Sequence, residues 1–379
     1  MIDAKELNWV NEILEKIEKK MEKVSTRSAE KIPYTTVNGV HDDWSAENRI
    51  GWWTNGFWGG MMWQMYALTK KEHYKVIAEK NEEKLDELFL DYNKMDHDNG
   101  FKWLPTAVAN YRVTGNRRSR NRGLLAANNL AGRFNSAGQF IRAWNDWSDE
   151  DSLRRGWAII DCMMNLPLLY WASEEIGDPR FEQMARRHAD TSIQYFVRGD
   201  GSVNHIVEFD IHSGDMVKSY GGQGVGEGSS WTRGQSWALY GFTLSYLHTK
   251  EPEYLATAER IANYYITNIP SNGFIPVDFR QPADVTWEDS TSAAIAACGL
   301  IELAKLHEGR QKDIYLNAAL KLLHALAEHR TNWNEEEDNL LEKCTAAYHD
   351  ENHEFSIIYG DYYFIEALMK LAGKELFIW

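Results

Sequence analysis

The feature that most constrains the fold is a two-part unit that recurs roughly every 50 to 75 residues. In each unit an apolar helical run is followed by a short turn and then by a charged amphipathic helix. The apolar runs begin near Trp53, Phe101, Ile159, Arg233, Thr291 and Ile358. Each run is hydrophobic around most of its circumference, as a helix buried on all sides must be. Recurring helical hairpins of this kind indicate a repeat architecture in which neighbouring units bury one another.

The charged helices share a signature, an aromatic residue followed four positions later by alanine. The pairs are Tyr74 and Ala78, Phe181 and Ala185, Tyr254 and Ala258, Tyr315 and Ala319. Residues 122–134 fill the remaining position less cleanly, and the amphipathic helix near residues 7–24 has no apolar partner before it. A ring closed by the first and last helices uses every segment. We therefore predict an all-α (α/α)6 barrel forming a single domain over residues 1–379, with an open helical solenoid as the alternative.

One segment breaks the helical pattern. Residues 202–211 alternate apolar and polar side chains, which predicts a short β insertion. A glycine-rich loop follows at residues 221–228.

The charge and the cysteine content limit which binding partners and which cellular compartment we expect. The chain has 41 basic and 56 acidic residues and a net charge of −15, which argues against a nucleic-acid partner. Its three cysteines show no metal-binding or redox spacing, so we expect reduced, buried thiols. The N-terminus lacks the features of a signal peptide, and the apolar stretches are too short to span a membrane. We expect a cytoplasmic protein, a monomer or weak homodimer, without a membrane partner.

The unusual polar and aromatic residues cluster where the apolar helices begin. In the predicted barrel these helices run parallel, so their N-termini share one rim and favour an anionic ligand there. In residues 229–242, Trp231 and Trp237 flank Arg233 and Gln235 at such a helix start. This pattern suits a sugar acid, with indoles stacking on the ring and Arg233 holding the carboxylate. A buried tryptophan pair with Arg233 in a structural ion pair is an equal alternative.

Asp161 is the candidate proton donor, because it is a lone carboxylate in a long apolar run and is costly to bury charged. An N-cap role is the alternative. Asp98 is the natural second carboxylate, and two neighbouring carboxyls cannot both ionise easily. The acids around His97 could also form half of a metal site, but no second cluster with ligand spacing is present. His205, on the predicted strand, is either catalytic or structural.

These motifs resemble glycoside hydrolase family 88, the unsaturated glucuronyl hydrolases. The matching stretches are 53–60, 98–101, 160–169, 231–237, 289–300 and 360–363, in order along nearly the whole chain. The resemblance implies a barrel of the six-hairpin glycosidase type with no metal and no organic cofactor. It also implies a small substrate, an oligosaccharide left by a polysaccharide lyase with a C4=C5 unsaturated uronic acid at its non-reducing end.

At the positions that match the family's motifs, the resemblance implies that Asp161 is the general acid and base and that Asp98 is its essential companion. The residues implied to line the sugar subsite are Trp53, Trp144, His205, Gln223, Trp231, Arg233 and Trp237. Two alternatives remain: an unsaturated rhamnogalacturonyl hydrolase (family 105) and a sugar epimerase on the same barrel.

The chain departs from the family pattern at several positions. Asp96 stands where a second histidine is expected beside His97, and Asn55 stands where aspartate is common. The 221–228 loop differs in composition, which weakens the assignment of Gln223. Residues 342–356, expected to contact the neighbouring sugar, give no clear match.

Overall fold

The computed structural model describes residues 2–46, 48–145 and 154–379. The α-helices are α1 Ala4–Arg27, α2 Phe57–Thr69, α3 Glu72–Lys84, α4 Asn99–Trp103, α5 Ala109–Thr114, α6 Arg117–Ala131, α7 Leu166–Ile176, α8 Arg180–Tyr195, α9 Thr232–Thr249, α10 Pro252–Thr267, α11 Ser290–Leu306, α12 Gly309–His329 and α13 Ile358–Leu371. The strands are β1 Thr36–Val37, β2 Val40–His41, β3 Phe134–Asn135, β4 Phe140–Ile141, β5 Trp157–Ile159, β6 Ile206–Phe209 and β7 Met216–Tyr220. Short 3-10 helices are Trp53–Gly56, Leu85–Leu90, Tyr92–Lys94 and Ile160–Met164.

The inner helices form a closed ring. Around it lie α2, the combined α4 and α5, α7, α9, α11 and α13, each packed on the next, and α13 packs back on α2. A π-helical turn, Leu104–Val108, joins α4 to α5. This wide turn contains Pro105, which has no backbone N–H to continue an α-helix. The ring confirms the (α/α)6 barrel.

The outer helices cover the ring, and their main contacts are α3 on α2, α6 on α4 and the π turn, α8 on α7, α10 on α9, α12 on α11 and α1 on α13. The predicted partnership of the first and last helices is therefore confirmed. Both members of each aromatic–alanine pair are almost fully buried. The small alanine allows the outer helix to approach the ring closely while the aromatic ring fills the gap beside it.

The prediction that an apolar helix begins near Ile159 is wrong. Residues 157–159 form β5, a 3-10 turn follows, and α7 begins at Leu166, with Pro167 in its first turn. A short apolar run fits a strand or a buried helix equally well, and here strand pairing decides. β6 is the central strand of the antiparallel sheet β5–β6–β7, so the β insertion is larger than predicted.

The register of this sheet brings two distant segments together. Ile159 on β5 pairs with Ile206 on β6, and the N–H of Ile160 donates to the carbonyl of His205 at 3.0 Å. The chain leaves β5 toward Asp161 at the same end where β6 begins. The sheet therefore places Asp161 and His205 next to each other.

All three cysteines, Cys162, Cys298 and Cys344, are buried free thiols, as predicted. No helix within the described ranges is long and apolar enough to cross a lipid bilayer.

Candidate active site

Asn165 links the two candidate carboxyls. Its Nδ2 donates to Oδ1 of Asp98 and to the backbone carbonyl of Asp161, each at 3.3 Å. Its Oδ1 accepts the N–H of Phe101 at 2.8 Å, which ties the start of α4 to the turn before α7. A glycine is required between them, because a Cβ on Gly100 would lie 2.5 Å from Cα of Asn165. One amide side chain therefore holds Asp98 and Asp161 at the same rim.

The two carboxyls differ in their surroundings. The Asp98 side chain is 10% exposed and that of Asp161 is 16% exposed. Burial raises the pKa of Asp98 well above its usual range, and the nearby charges of Asp96 and Asp161 raise it further. Asp98 therefore keeps its proton at a pH at which an ordinary aspartate has lost it. The more exposed Asp161 is the better placed of the two to meet a ligand.

His97 lies against Asp98, with Nε2 3.4 Å from Oδ2 of the carboxyl. Burial lowers the pKa of His97 to about 4, so its ring is neutral above that pH. Among the described residues, no three His, Cys, Asp or Glu side chains are grouped to hold a metal ion.

His205 lies beside Asp161, with Nε2 3.6 Å from Oδ1. Its Nδ1 accepts the backbone N–H of Gln223 at 2.9 Å, and its ring packs on Trp231 with centroids 4.3 Å apart. A nitrogen that accepts a hydrogen bond carries no proton, so the neutral ring carries its proton on Nε2, toward Asp161. This part of the site depends on the glycine-rich loop for its orientation.

Arg233 is buried in a structural ion pair. Its Nη1 lies 3.0 Å from Oδ2 of Asp289 and 2.7 Å from the carbonyl of Thr345, and Nη2 donates to the carbonyl of Ala346. The guanidinium also stacks on Trp231, with its carbon 4.5 Å from the ring centroid. The side chain is 1% exposed. The structural ion pair that the sequence left open for Arg233 is present, and contact of Arg233 with a substrate carboxylate stays a prediction.

The predicted tryptophans occupy different places. Trp53 is half-buried and packs on Tyr359 and Phe101, with ring centroids 4.8 and 5.3 Å apart. Trp237 and Trp231 are almost fully buried, and Trp237 packs beneath Phe101 at 5.0 Å. Trp53 can therefore contact a ligand directly, whereas the other two support the surface that the ligand meets.

Trp144 lies apart from this aromatic cluster. It packs on Trp157 of β5, with centroids 6.0 Å apart, over the small apolar cluster of Ala143, Ile159 and Ile206. Its neighbour Ala143 accepts the N–H of His97 at 3.1 Å, so Trp144 borders the site from the side of the sheet.

Gln223 joins the glycine-rich loop to residues 342–356. Its Nε2 donates to the carbonyl of Ala346 at 3.0 Å, and its own carbonyl accepts the N–H of Tyr348 at 2.9 Å. The preceding Gly222 has a φ of +56°, and a Cβ there would lie 1.9 Å from Nδ1 of His205. Both the backbone conformation and the contact require glycine. The two loops and His205 therefore form one connected wall.

Three residues important to this arrangement received no role from the sequence. They are Asn165, Asp289 and Lys102, which is fully buried on α4. Asn165 and Lys102 are isolated polar residues in apolar runs, the same signal that singled out Asp161. Asp289 lies in the matching stretch 289–300, but its pairing with Arg233 joins residues far apart in the chain.

The family model for Glycosyl Hydrolase Family 88 matches residues 18–376. The chain belongs to this family. The family 88 relatives include the unsaturated glucuronyl hydrolase of Bacillus sp. (strain GL1), 35% identical over 336 residues, which cover 86% of this chain and 88% of the relative. An unsaturated chondroitin disaccharide hydrolase of Streptococcus pneumoniae (strain ATCC BAA-255 / R6) is 34% identical over 334 residues, covering 86% and 83%.

A solved structure similar to this chain is named with a saccharide. It is an aspartate-to-asparagine variant of UGL with dGlcA-Glc-Rha-Glc. It superposes on this chain with a TM-score of 0.87 and 30% sequence identity, covering 95% of this chain and 96% of the other. Membership in family 88 makes the protein a glycosidase and confirms the resemblance seen in the sequence.

Proposed function

We propose that this protein removes the C4=C5 unsaturated uronic acid from the non-reducing end of short oligosaccharides produced by polysaccharide lyases. The observation that carries the proposal is the pair Asp98 and Asp161, held by Asn165 at the rim of a family 88 barrel. The half-buried Trp53 offers an apolar surface for a sugar ring beside this pair. The relatives named for unsaturated glucuronyl and chondroitin substrates support the same substrate class.

The reaction needs one proton donor and one water molecule. The substrate is an enol ether conjugated to a carboxylate, and protonation at C4 leaves an oxocarbenium-like centre at C5. Water adds to C5 and loses a proton, which gives a hemiketal. The hemiketal opens by breaking the bond between C5 and the ring oxygen, which leaves a ketone at C5 and a hemiacetal at C1. The hemiacetal then breaks its bond to the aglycone oxygen, which takes up a proton, and C1 becomes an aldehyde that keeps the former ring oxygen. No substitution takes place at the anomeric carbon. The distance between the two carboxyls therefore does not indicate retention or inversion of configuration here.

Asp161 is the proposed proton donor, and it returns as the base that accepts the proton of water. Asp98 holds a proton in the pair at a pH where two ordinary carboxyls would both be ionised, since burial raises its pKa. His205 directs its Nε2 toward Asp161 from 3.6 Å, because its Nδ1 is held by the N–H of Gln223.

Arg233 has a supporting role in this proposal. Because its guanidinium bonds to Asp289 and to the carbonyls of Thr345 and Ala346, it anchors residues 342–356 at the mouth. Gln223 ties the same segment to the loop that orients His205. Both residues then shape the sugar subsite through the loops they hold.

The test follows the ultraviolet absorbance of the conjugated double bond. The purified protein is incubated with unsaturated chondroitin disaccharides and with dGlcA-Glc-Rha-Glc, with and without EDTA. We expect the absorbance to fall while a reducing sugar appears in equal amount, at the same rate in EDTA. Activity confined to saturated glycosides, or no loss of absorbance on any unsaturated substrate, would contradict the proposal.

The same assay separates the alternatives. An unsaturated rhamnogalacturonyl hydrolase would act on a rhamnose-linked substrate in preference to both test substrates. A sugar epimerase would leave the double bond intact and release no aglycone. The family 88 match favours the glucuronyl substrate over both. Three buried free thiols suit the reducing cytoplasm, which we propose as the compartment.

A further inference from the structure

Lys102 is a buried cation one helical turn beyond Asp98. Its side chain is 0% exposed, and its Nζ lies 3.2 Å from Oδ1 of Asp96. The carbonyls of Gly51 and Lys94 complete its surroundings at 3.4 and 3.3 Å. Asp96, whose side chain is 24% exposed, is thus the counterion of Lys102 in the described part of the chain.

The same carboxylate oxygen also holds the backbone of Asp98. Oδ1 of Asp96 accepts the N–H of Asp98 at 3.0 Å. This bond needs an acceptor oxygen but no charge, because an amide oxygen at the same position could accept it. The geometry and the charge of Asp96 can therefore be separated by substitution.

The charged and titratable groups around Asp98 come from several elements. They are Asp96 and His97 on its own segment, Lys102 on α4, Asp161 and Cys162 on the 3-10 turn, and Arg133 after α6, which faces Asp96 and His97. His97 is neutral, since burial lowers its pKa to about 4, and burial raises the pKa of the Cys162 thiol, which keeps it neutral too. Of the remaining groups, Asp96 and Lys102 form the ion pair that is attached to the Asp98 segment.

We propose that Asp96 is a positioning residue for Asp98, and that the Asp96–Lys102 pair adjusts the charge balance around the buried Asp98 carboxyl. This inference rests on the proposed role of Asp98 in the reaction. It assigns the placing of the Asp98 backbone and the balance of charge around its carboxyl to one buried ion pair.

The two members of the pair act on Asp98 in opposite directions. The charge of Asp96 raises the pKa of Asp98, second only to burial and ahead of Asp161, whereas Lys102 lowers it. Because like and opposite charges within a few ångströms favour the neutral and the charged carboxyl respectively, removing each member must have an opposite effect.

The test compares three variants of the full chain. Asp96→Asn keeps the hydrogen bond to Asp98 and removes the negative charge. We expect the alkaline limb of the kcat profile to move to lower pH by about one unit or more, the scale of a neighbouring charge. Lys102→Met should move the same limb to higher pH. The double variant should return it close to the wild-type position.

A second measurement does not depend on activity. In protein labelled with ¹³C at the aspartate carboxyl carbons, the Asp98 resonance is assigned by its absence in Asp98→Asn and titrated in each variant. We expect the titration midpoint to move in the same directions as the alkaline limb. If the wild type fails to consume unsaturated disaccharides but these midpoints move as stated, the proposed function fails and this inference stands.

Asp91→Asn is the matched control, because it removes a carboxylate from the same segment that pairs with Lys94 at the surface. It should leave both the limb and the Asp98 midpoint unchanged. If Asp96→Asn does not fold because Lys102 lacks a counterion, the comparison of Lys102→Met with the double variant carries the test. An Asp98 midpoint that is the same in every folded variant, or that moves in one direction for both single changes, would overturn the inference.

Discussion

The Nε2 atom of His205 faces the carboxyl of Asp161 at 3.6 Å, and the opposite ring nitrogen is occupied by the N–H of Gln223. The position of the proton on the histidine is therefore set by a backbone amide of the glycine-rich loop. This makes the loop part of the acid's surroundings through a backbone N–H. Changes in the loop should be visible in catalysis.

Gly222→Ala is expected to reduce kcat by about 10- to 100-fold, because losing one orienting hydrogen bond costs about 1–3 kcal/mol. The new Cβ would lie 1.9 Å from Nδ1 of His205 and would displace the ring. Steady-state kinetics on an unsaturated disaccharide measure the effect. Gly226→Ala, in the same loop with nothing within 4 Å of its Cβ, is the control. Equal activity of the two variants would show that His205 does not need this orientation.

Asp161→Asn is expected to lower kcat by about 10²–10⁴-fold, the usual contribution of a general acid or base. The amide keeps the size of the side chain and removes the transferable proton, so the melting temperature should change little. Asp178→Asn, in the turn after α7, is a matched surface control. If Asp161→Asn retained near-normal kcat, the proton would have to come from another group.

Asp98→Asn should trade activity for stability. The raised pKa means that the folded protein binds this proton more tightly than the unfolded chain does. The free energy of unfolding should therefore fall as pH rises from the ordinary aspartate range through the raised pKa of Asp98. The variant should lose this part of the pH dependence and be more stable than the wild type at neutral pH, with kcat reduced by about 10²–10⁴-fold.

Denaturant unfolding at a series of pH values, run beside the kinetics, checks both effects. A variant that is less stable than the wild type at neutral pH would indicate that Asp98 is ionised there and held by favourable contacts.

Arg233→Lys should damage both stability and activity. Lysine keeps the charge, but one ammonium cannot reach Asp289 and the carbonyls of Thr345 and Ala346 together. Leaving buried acceptors unpaired costs about 1–3 kcal/mol in unfolding free energy. We expect kcat/KM to fall by about 10- to 1,000-fold as residues 342–356 loosen.

Arg122→Lys is the comparison for this prediction, since Arg122 forms a similar pair with Glu82 and Asp86 on the outer wall. It should lower the melting temperature without changing kcat/KM. If Arg233→Lys lowered kcat/KM at an unchanged melting temperature, direct contact of Arg233 with the substrate carboxylate would be the better explanation.

The barrel could be predicted from the sequence because the apolar and charged helices alternate in a pattern that repeats along the chain. Helices buried on all sides, such as α11 and α13, show continuous apolar character, and the aromatic–alanine pairs mark the helices that cover them. Asp161 and Asp98 could be chosen as candidates because burying a carboxylate among apolar residues costs free energy, which suggests that the residue has a function. Their catalytic roles stay predictions.

The parts that could not be predicted depend on contacts between distant residues. From the sequence alone, residues 157–159 fit the start of a helix. They form β5 because Ile159 pairs with Ile206 on β6. The ion pair of Arg233 could not be assigned from the sequence because its partner, Asp289, lies 56 positions away in the chain. The link through Asn165 depends on how α4 and α7 pack, which no local pattern of residues encodes.

The packing of α1 on α13 has a consequence for biosynthesis. The apolar stripe of α1, which includes Val10, Ile17 and Met21, is buried by helices that include α13. A ribosome makes α1 before α2 to α12, and all of these before residues 358–371 emerge. Throughout translation this stripe lacks its final cover and is open to aggregation or to chaperones. The barrel is therefore completed late in translation, when α13 packs against α1.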